Sequence, residues 1–333
     1  MFLNQTKRCL MVAGMMLSLA IPSVHAEEKT EAGFNAYLAD IKTEAVNKGF
    51  DAALVDSALA TATFRPTVVK ADKNQPEKKI TLDDYLATRV PDWKVKQALD
   101  LYNQHKALLD EIGKQYGVQP RFILALWGNE SNFGKIQGSY PVFSALLSLA
   151  YEGRRETLFK KQFYAALEII QDGHIHVDDL KGSWAGAMGQ SQFMPTSFLT
   201  YAVDYDGDGR KDIWQTPADV FASIANFLSS EGWNDDFTWG RQVKFVDGYK
   251  GENVGLGKAD FVPLATWQQR GVRKFDLSNL PDADINASLI MPDGIDGRLY
   301  LVYNNFHTLM KWNRSSYFGI SVSYLADRIK KGQ

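Results

Sequence analysis

Glu130 is the residue whose setting says most about chemistry. The segment Phe122-Ile123-Leu124-Ala125-Leu126-Trp127 ahead of it is apolar on every side, which predicts a helix buried all round. Gln119-Pro120 suits the start of that helix, because the missing proline N–H has no intrahelical partner in a first turn. The run ends in Gly128-Asn129-Glu130-Ser131-Asn132-Phe133-Gly134, which puts a carboxylate at the helix's C-terminal end. Desolvation and the negative pole of the helix dipole both raise the pKa of such a group. A carboxyl that keeps its proton near neutral pH can serve as the general acid of glycosidic cleavage. A helix-end glutamate paired with an arginine would leave the same sequence trace, and both readings stay open here.

A second constellation is Asp204-x-Asp206-x-Asp208-Gly209. It places oxygen ligands at positions one, three and five of an EF-hand-like loop, with glycine at six for the sharp turn. Arg210 offers its backbone carbonyl at position seven, while Gln215 stands at twelve, where a bidentate glutamate is expected. Three carboxylates this close repel one another without a cation, so a structural calcium ion is expected, with no organic cofactor. Other clusters are weaker. His174-x-His176 with Asp178-Asp179 lacks a further ligand and reads as an exposed turn. Gly255-Leu256-Gly257-Lys258 lacks the upstream glycine of a phosphate loop, and Gly182–Gly186 has the wrong offsets for a nucleophile elbow.

The elements that must position these groups are mostly helical. Apolar spacing predicts helix within Phe34–Leu59, from Val95 to Ile112 with a stop at Gly117, over Val142–Tyr151 and over Thr157–Asp172. Thr216-Pro217 opens a further helix whose apolar face carries Val220, Ile224, Phe227 and Leu228. The stretch from Arg65 to Lys79, with Pro66, Pro76 and many charges, reads as an exposed connector. Between about Trp239 and Met291 short runs such as Val243–Val246, Asn253–Val254 and Ala287–Ile290 predict a small β region. Phe318, Val322, Leu325 and Ile329 then return to helical spacing.

Composition bounds the class. With 45% hydrophobic and 23% charged residues over 333 positions, the chain is neither disordered nor low in complexity. One cysteine excludes a disulfide scaffold, and 37 basic against 39 acidic side chains exclude a polycation built for nucleic acid. Lys7 and Arg8, an apolar run from Leu10 to Ile21 and the small residues around Val24-His25-Ala26 form the three-part plan of a secretory leader over residues 1–26. Its removal takes away two basic side chains, no acid, and the cysteine, which precedes the apolar run rather than following it as a lipoprotein cysteine would. The expectation is therefore an exported, soluble, periplasmic protein with no transmembrane segment, held together by packing and a metal rather than by disulfides.

Three segments carry a family resemblance: Glu130-Ser131-Asn132-Phe133-Gly134, then Leu180-Lys181-Gly182-Ser183-Trp184-Ala185-Gly186-Ala187-Met188-Gly189-Gln190-Ser191-Gln192-Phe193-Met194-Pro195, then Val203-Asp204-Tyr205-Asp206-Gly207-Asp208-Gly209. Together they resemble the lytic murein transglycosylase B family, glycoside hydrolase family 103, over about Gln104 to Arg328. The resemblance implies cleavage of the MurNAc–GlcNAc β-1,4 bond of peptidoglycan without water. The glutamate protonates the leaving oxygen and then, as carboxylate, takes the proton of the C6 hydroxyl of the same MurNAc as a 1,6-anhydro ring closes. It further implies that Ser183 meets the MurNAc N-acetyl group, that Gln192 and Asn313 contact sugar in the cleft, and that Arg154 and Arg155 face cell-wall carboxylates near the glutamate. Trp312 stands where the family has tyrosine, and Phe227 and Phe318 where hydroxylated aromatics are usual. Asp219 is implied to complete the calcium site.

The chain is thus expected to be mainly α (α+β), with a lysozyme-like catalytic core, an EF-hand-like loop, a helical domain and a small β region. The leader is followed by a helical region over 27–118 and a core over 119–238 with the calcium loop at 204–219. The β region covers 239–298, and C-terminal helices over 299–333 pack back on the core. The partners are peptidoglycan glycan strands and cell-wall synthesis or remodelling proteins. A hydrolytic muramidase on the same core, or a non-catalytic peptidoglycan-binding protein, are the alternatives. A hydrolase should show two cooperating carboxylates, and the sequence has no second candidate near Glu130, with Glu152, Glu156 and Glu168 left open by spacing alone.

Overall fold

The computed structural model describes residues 29–73, 80–246 and 254–332. The expected leader over 1–26, Pro76 and Asn253 lie outside them. The amino-terminal part is a run of helices: α1 (Glu31–Asn47), α2 (Ala52–Ala60), α3 (Pro66–Lys73), α4 (Leu82–Arg89), α5 (Asp92–Gln104) and α6 (Lys106–Tyr116). The long periodicity from Val95 to Ile112 is therefore two helices that break at His105. The second ends at Gly117, whose left-handed φ of 63° closes the helix as only glycine does at little cost.

Pro120 then opens α7 (Pro120–Ser131), in which every residue from Phe122 to Asn129 is buried. The reason is its place. α7 is surrounded by α5, α6 and two later helices, α11 (Pro217–Ser230) and α14 (Ser316–Gly332), so no side of it faces water. Between these lie the short pair β1 (Tyr140–Pro141) and β2 (Lys181–Gly182), with α8 (Val142–Glu152), α9 (Glu156–Gln171) and α10 (Pro195–Tyr201). Asn129 ties α7 to α14. Its amide donates to the Ala125 carbonyl at 2.8 Å, and its oxygen accepts from Ser321 Oγ at 3.1 Å.

The β region forms one antiparallel sheet in the order β4 (Val262–Pro263), β6 (Asn286–Ile290), β7 (Leu299–Val302), β3 (Gly240–Phe245), β5 (Val272–Lys274). It has its own small core, in which Val243, Trp267, Leu289 and Leu301 are buried together. The sheet extends beyond the expected limit at 298, because β7 pairs with both β3 and β6 at its centre. A short helix, α12 (Leu264–Gln269), also interrupts the region. The chain returns to the main core through α13 (Asn304–Trp312) and α14.

The stretch read as an exposed connector contains α3, and this is a correction. Pro66 is the first residue of the helix, a position proline tolerates, and Val68 and Asp72 are buried. Asp72 is a charge with a structural role. Its carboxylate, 3% exposed, receives the guanidinium groups of both Arg154 and Arg155, which clamps α3 onto the turn between α8 and α9. Removing the shared acceptor leaves two cations facing one another, though both are partly solvated. Asp72→Ala is expected to lower the melting temperature by a few degrees, roughly 1–3 kcal/mol, with kcat unchanged; thermal denaturation beside an activity assay checks both.

Candidate active site and metal loop

Glu130 lies in the last turn of α7, one residue before the helix ends. The cap residue Asn132 (φ 51°) and the next residue, Phe133 (φ 58°), are both in the left-handed region, where a bulky side chain is strained. Packing holds Phe133 there. The Phe133 ring meets Trp127 edge-on at 5.4 Å, and a Cβ on Gly128 would sit 2.6 Å from that ring. The indole of Trp127 donates to Gln190 Oε1 at 2.7 Å, and Gln190 donates to the Trp214 carbonyl at 2.8 Å. The glycine-rich loop is thereby tied to the helix that carries the acid.

The Glu130 carboxyl opens on two adjoining hollows of about 470 and 330 Å³. Tyr85, Arg89 and Asn129 line both; Trp93 and Lys94 line only the larger, and Asn313, Ser315 and Phe318 only the smaller. Burial pushes the Glu130 carboxyl up to about 7, against the opposing effects of a hydrogen bond from Trp312 and the positive charge of Arg89. Trp312 Nε1 donates to Glu130 Oε1 at 2.5 Å. Its indole is backed by Phe227 and Phe193, with ring centroids 4.7 and 5.2 Å away. Among the described residues, Glu130 is the only carboxylate lining either hollow. The sequence candidates for a second one lie elsewhere: Glu152 pairs with Lys73, Glu156 accepts from Tyr37 and lies near Lys160, and Glu168 is exposed.

Asn313 follows α13 and lines the smaller hollow beside Glu130, its side-chain oxygen accepting from the Ser315 amide at 3.0 Å. Ser183 Oγ accepts from the Ala187 and Ala185 amides at 3.0 and 3.3 Å, which fixes the turn between β2 and Met188. Gln192 has a left-handed φ of 51°, and its amide donates to the Gly189 and Gln137 carbonyls at 2.8 and 3.0 Å. Its neighbour Phe193 packs on Trp312, so this loop reaches the acid through aromatic contact. Arg154 and Arg155 are brought onto Asp72 and line neither hollow. Sequence reasoning missed Tyr85, Arg89, Trp93 and Lys94, which sit on α4 and α5, where no spacing pattern marks them.

In the acidic loop, Asp204, Asp206 and Asp219 converge, each offering a carboxylate oxygen within 4.8 Å of the others. Asp204 also accepts from the Gly207, Asp208 and Gly209 amides at 2.8 to 3.1 Å, which curls the loop around it. Asp219, fully buried in the first turn of α11, accepts from the Tyr205 and Asp212 amides at 2.8 and 2.7 Å. Asp208 is outside this trio, because its carboxylate accepts from the Arg210 amide and guanidinium. His174, expected in an exposed turn, instead packs on Phe198 and accepts from the Lys211 amide at 3.2 Å, steadying the same loop. Three converging carboxylates with one buried fit a hard divalent cation such as calcium.

A helical core that holds one high-pKa carboxyl on the floor of an open cleft is of the lysozyme-like, glycan-cleaving class. Residues 33–327 match the model of the transglycosylase SLT domain, and the chain belongs to that family. It is 38% identical to SltB3 from Pseudomonas aeruginosa, a structure in complex with NAG-anhNAM-pentapeptide, with a TM-score of 0.85 over 89% of this chain and 79% of that one. It is 26% identical to the Escherichia coli lytic transglycosylase Slt35 in complex with calcium, with a TM-score of 0.78 over 89% and 93% of the two chains. Over 251 residues it is 29% identical to membrane-bound lytic murein transglycosylase B of Escherichia coli strain K12, which is 71% of this chain and 63% of that relative. The chain thus matches less than two thirds of that relative's length.

The hydrogen bond from Trp312 stabilises the carboxylate, so its loss must favour the protonated acid. Activity that needs protonated Glu130 falls as pH rises through about 7. In Trp312→Phe, which keeps the ring packing, that falling limb is expected to move upward by about one pH unit; a kcat–pH profile of the two proteins checks it.

Proposed function

We propose that this protein is a peptidoglycan lytic transglycosylase that cuts the MurNAc–GlcNAc β-1,4 bond and leaves a 1,6-anhydroMurNAc end. The observation that carries this reading is a cleft carboxyl, Glu130, held near pKa 7 and without a second carboxylate beside it among the described lining residues. Protonated Glu130 gives its proton to the glycosidic oxygen as the C1–O bond breaks. The carboxylate left behind then takes the proton of the C6 hydroxyl, whose oxygen bonds to C1 and closes the ring. Glu130 ends protonated, so one group serves both steps. The hydroxyl of the same sugar competes with water through its high effective molarity, and among the described residues the two hollows present no second carboxylate to activate a water molecule. Arg89 supplies positive charge toward Glu130 during the interval in which it is ionised.

Membership of the SLT family supports this reading, as does the similarity to a structure that holds a NAG-anhNAM-pentapeptide. Ser183, Gln192 and Asn313 are assigned to sugar contacts, Asn313 beside the acid and the other two on the loop packed against Trp312. The site of action is outside the cytoplasm, since peptidoglycan lies there and the amino-terminal sequence has the plan of a leader. Among the described residues no helix is long and apolar enough to cross a membrane. The test is mass spectrometry of digested murein. The reading expects 1,6-anhydroMurNAc ends, lost at least a thousandfold in Glu130→Gln. Reducing MurNAc ends would instead identify a muramidase, and undiminished release by the variant would remove Glu130 from its role.

The acidic loop belongs to stability in this reading. Asp204, Asp206 and Asp219 would hold a calcium ion, neutralising carboxylates that otherwise repel and pinning the start of α11 behind the cleft. Calcium at 100 times its dissociation constant adds about 2.7 kcal/mol to a one-site protein. The melting temperature is accordingly expected to rise by several degrees with calcium and to fall on chelation. Asp206→Asn should blunt that response; an unchanged melting temperature in the native protein would contradict the assignment.

A further inference from the structure

The larger hollow beside Glu130 carries features that proton transfer does not use. Trp93, in the first turn of α5, is 59% exposed, with Ile80 and Ile136 also exposed in the lining of the same hollow. Its neighbour Lys94 lines the hollow too, yet is only 6% exposed. Among the described residues, neither Lys94 nor Arg89 pairs with a carboxylate closely enough for an ion pair. Arg89 lies over the ring of Tyr85 at 5.6 Å, which holds the guanidinium beside the cleft. A buried ammonium without a counter-ion is costly in an apolar setting. Burial and the charge of Arg89 lower Lys94 to about 8, which still leaves it mostly charged at neutral pH. An anion that enters the hollow would offset that cost.

We propose that this hollow is a saccharide subsite in which Trp93 stacks on the apolar face of a sugar ring while Lys94 and Arg89 bind a carboxylate carried by that sugar's substituent. The proposal deepens the transglycosylase reading and rests on it for the choice of sugar. An indole presents a broad apolar plate that a pyranose can cover, removing both from water. Two cations that form no ion pair among the described residues select for negative charge at the same place. On a murein strand the carboxylate has two sources: the free lactyl group of a bare MurNAc, or the peptide attached to it.

Binding measured by calorimetry to Glu130→Gln protein, which leaves the ligand intact, separates these possibilities. The probes are chitotetraose, which has no carboxylate, a murein tetrasaccharide stripped of peptide, and the same tetrasaccharide bearing its peptides. Adding Lys94→Met is expected to weaken at least one carboxylate-bearing probe about tenfold while leaving chitotetraose unchanged, and Lys94→Arg to restore much of the loss. The probe that suffers identifies the source of the carboxylate. Adding Trp93→Ala should weaken all three probes several-fold. Equal effects of Lys94→Met on all probes, no effect on any, full binding by Trp93→Ala, or no binding of any probe to the parent would each overturn the subsite. Product analysis of the wild-type protein stands apart from these arms. Absence of anhydro ends there would remove the transglycosylase reading, while the binding results would still decide whether the hollow takes an anionic sugar.

Discussion

A carboxyl group can keep its proton near neutral pH where burial leaves its charged form poorly solvated. Here that condition is met by placing Glu130 in the last turn of a helix that is enclosed by four others. The enclosure accounts for much of the architecture. α7 must be apolar all round to occupy the centre, and its polar exit needs the Asn129–Ser321 tie to α14 and the strained pair Asn132 and Phe133 to stop the helix at the cleft. A hydrogen bond from Trp312 and, after it, the positive charge of Arg89 then limit how far the pKa rises, because both favour the ion that burial disfavours. The balance leaves a group that can give a proton and later retrieve one at the same pH.

The remaining parts of the molecule support that balance from a distance. Phe193 and Phe227 hold the Trp312 ring, and Phe193 belongs to the glycine-rich loop that also carries Ser183 and Gln192. The acidic loop ends at Asp219 in the first turn of α11, the helix that supplies Phe227. Stiffening that loop would therefore bear on the acid only through packing. The arginine pair contributes at yet another place, joining α3 to the α8–α9 turn through Asp72.

What could be read from sequence divides by the range of the signal. The unbroken apolar run before Glu130 announced its buried helix, and the alternate aspartates announced a curled acidic loop, since both patterns are local. Asp219 came only through the family resemblance, because its partners lie across the loop and no short spacing rule includes it. Glu130 and Trp312 are 182 residues apart, and nothing in either neighbourhood marks the indole as a hydrogen-bond donor to the acid. The resemblance alone placed Arg154 and Arg155 toward cell-wall carboxylates, and nothing in their neighbourhood announces Asp72, 82 and 83 residues earlier, which the fold brings to both. Pro66 and its charged neighbours looked like a connector because a proline at a helix start and a proline in a loop leave the same local trace. The exposed Trp93 and buried Lys94 were invisible for a related reason: adjacent residues on a helix say nothing about which hollow they line.

The central claim is that Glu130 holds a proton near neutral pH because the fold partly desolvates its carboxylate. Infrared difference spectroscopy of the glutamate carboxyl band across a pH titration, with Glu130→Gln as the subtracted reference, reads that property directly. The account predicts a carboxyl that ionises with a midpoint of about 7. A midpoint near the ordinary glutamate value of about 4.3 would contradict it.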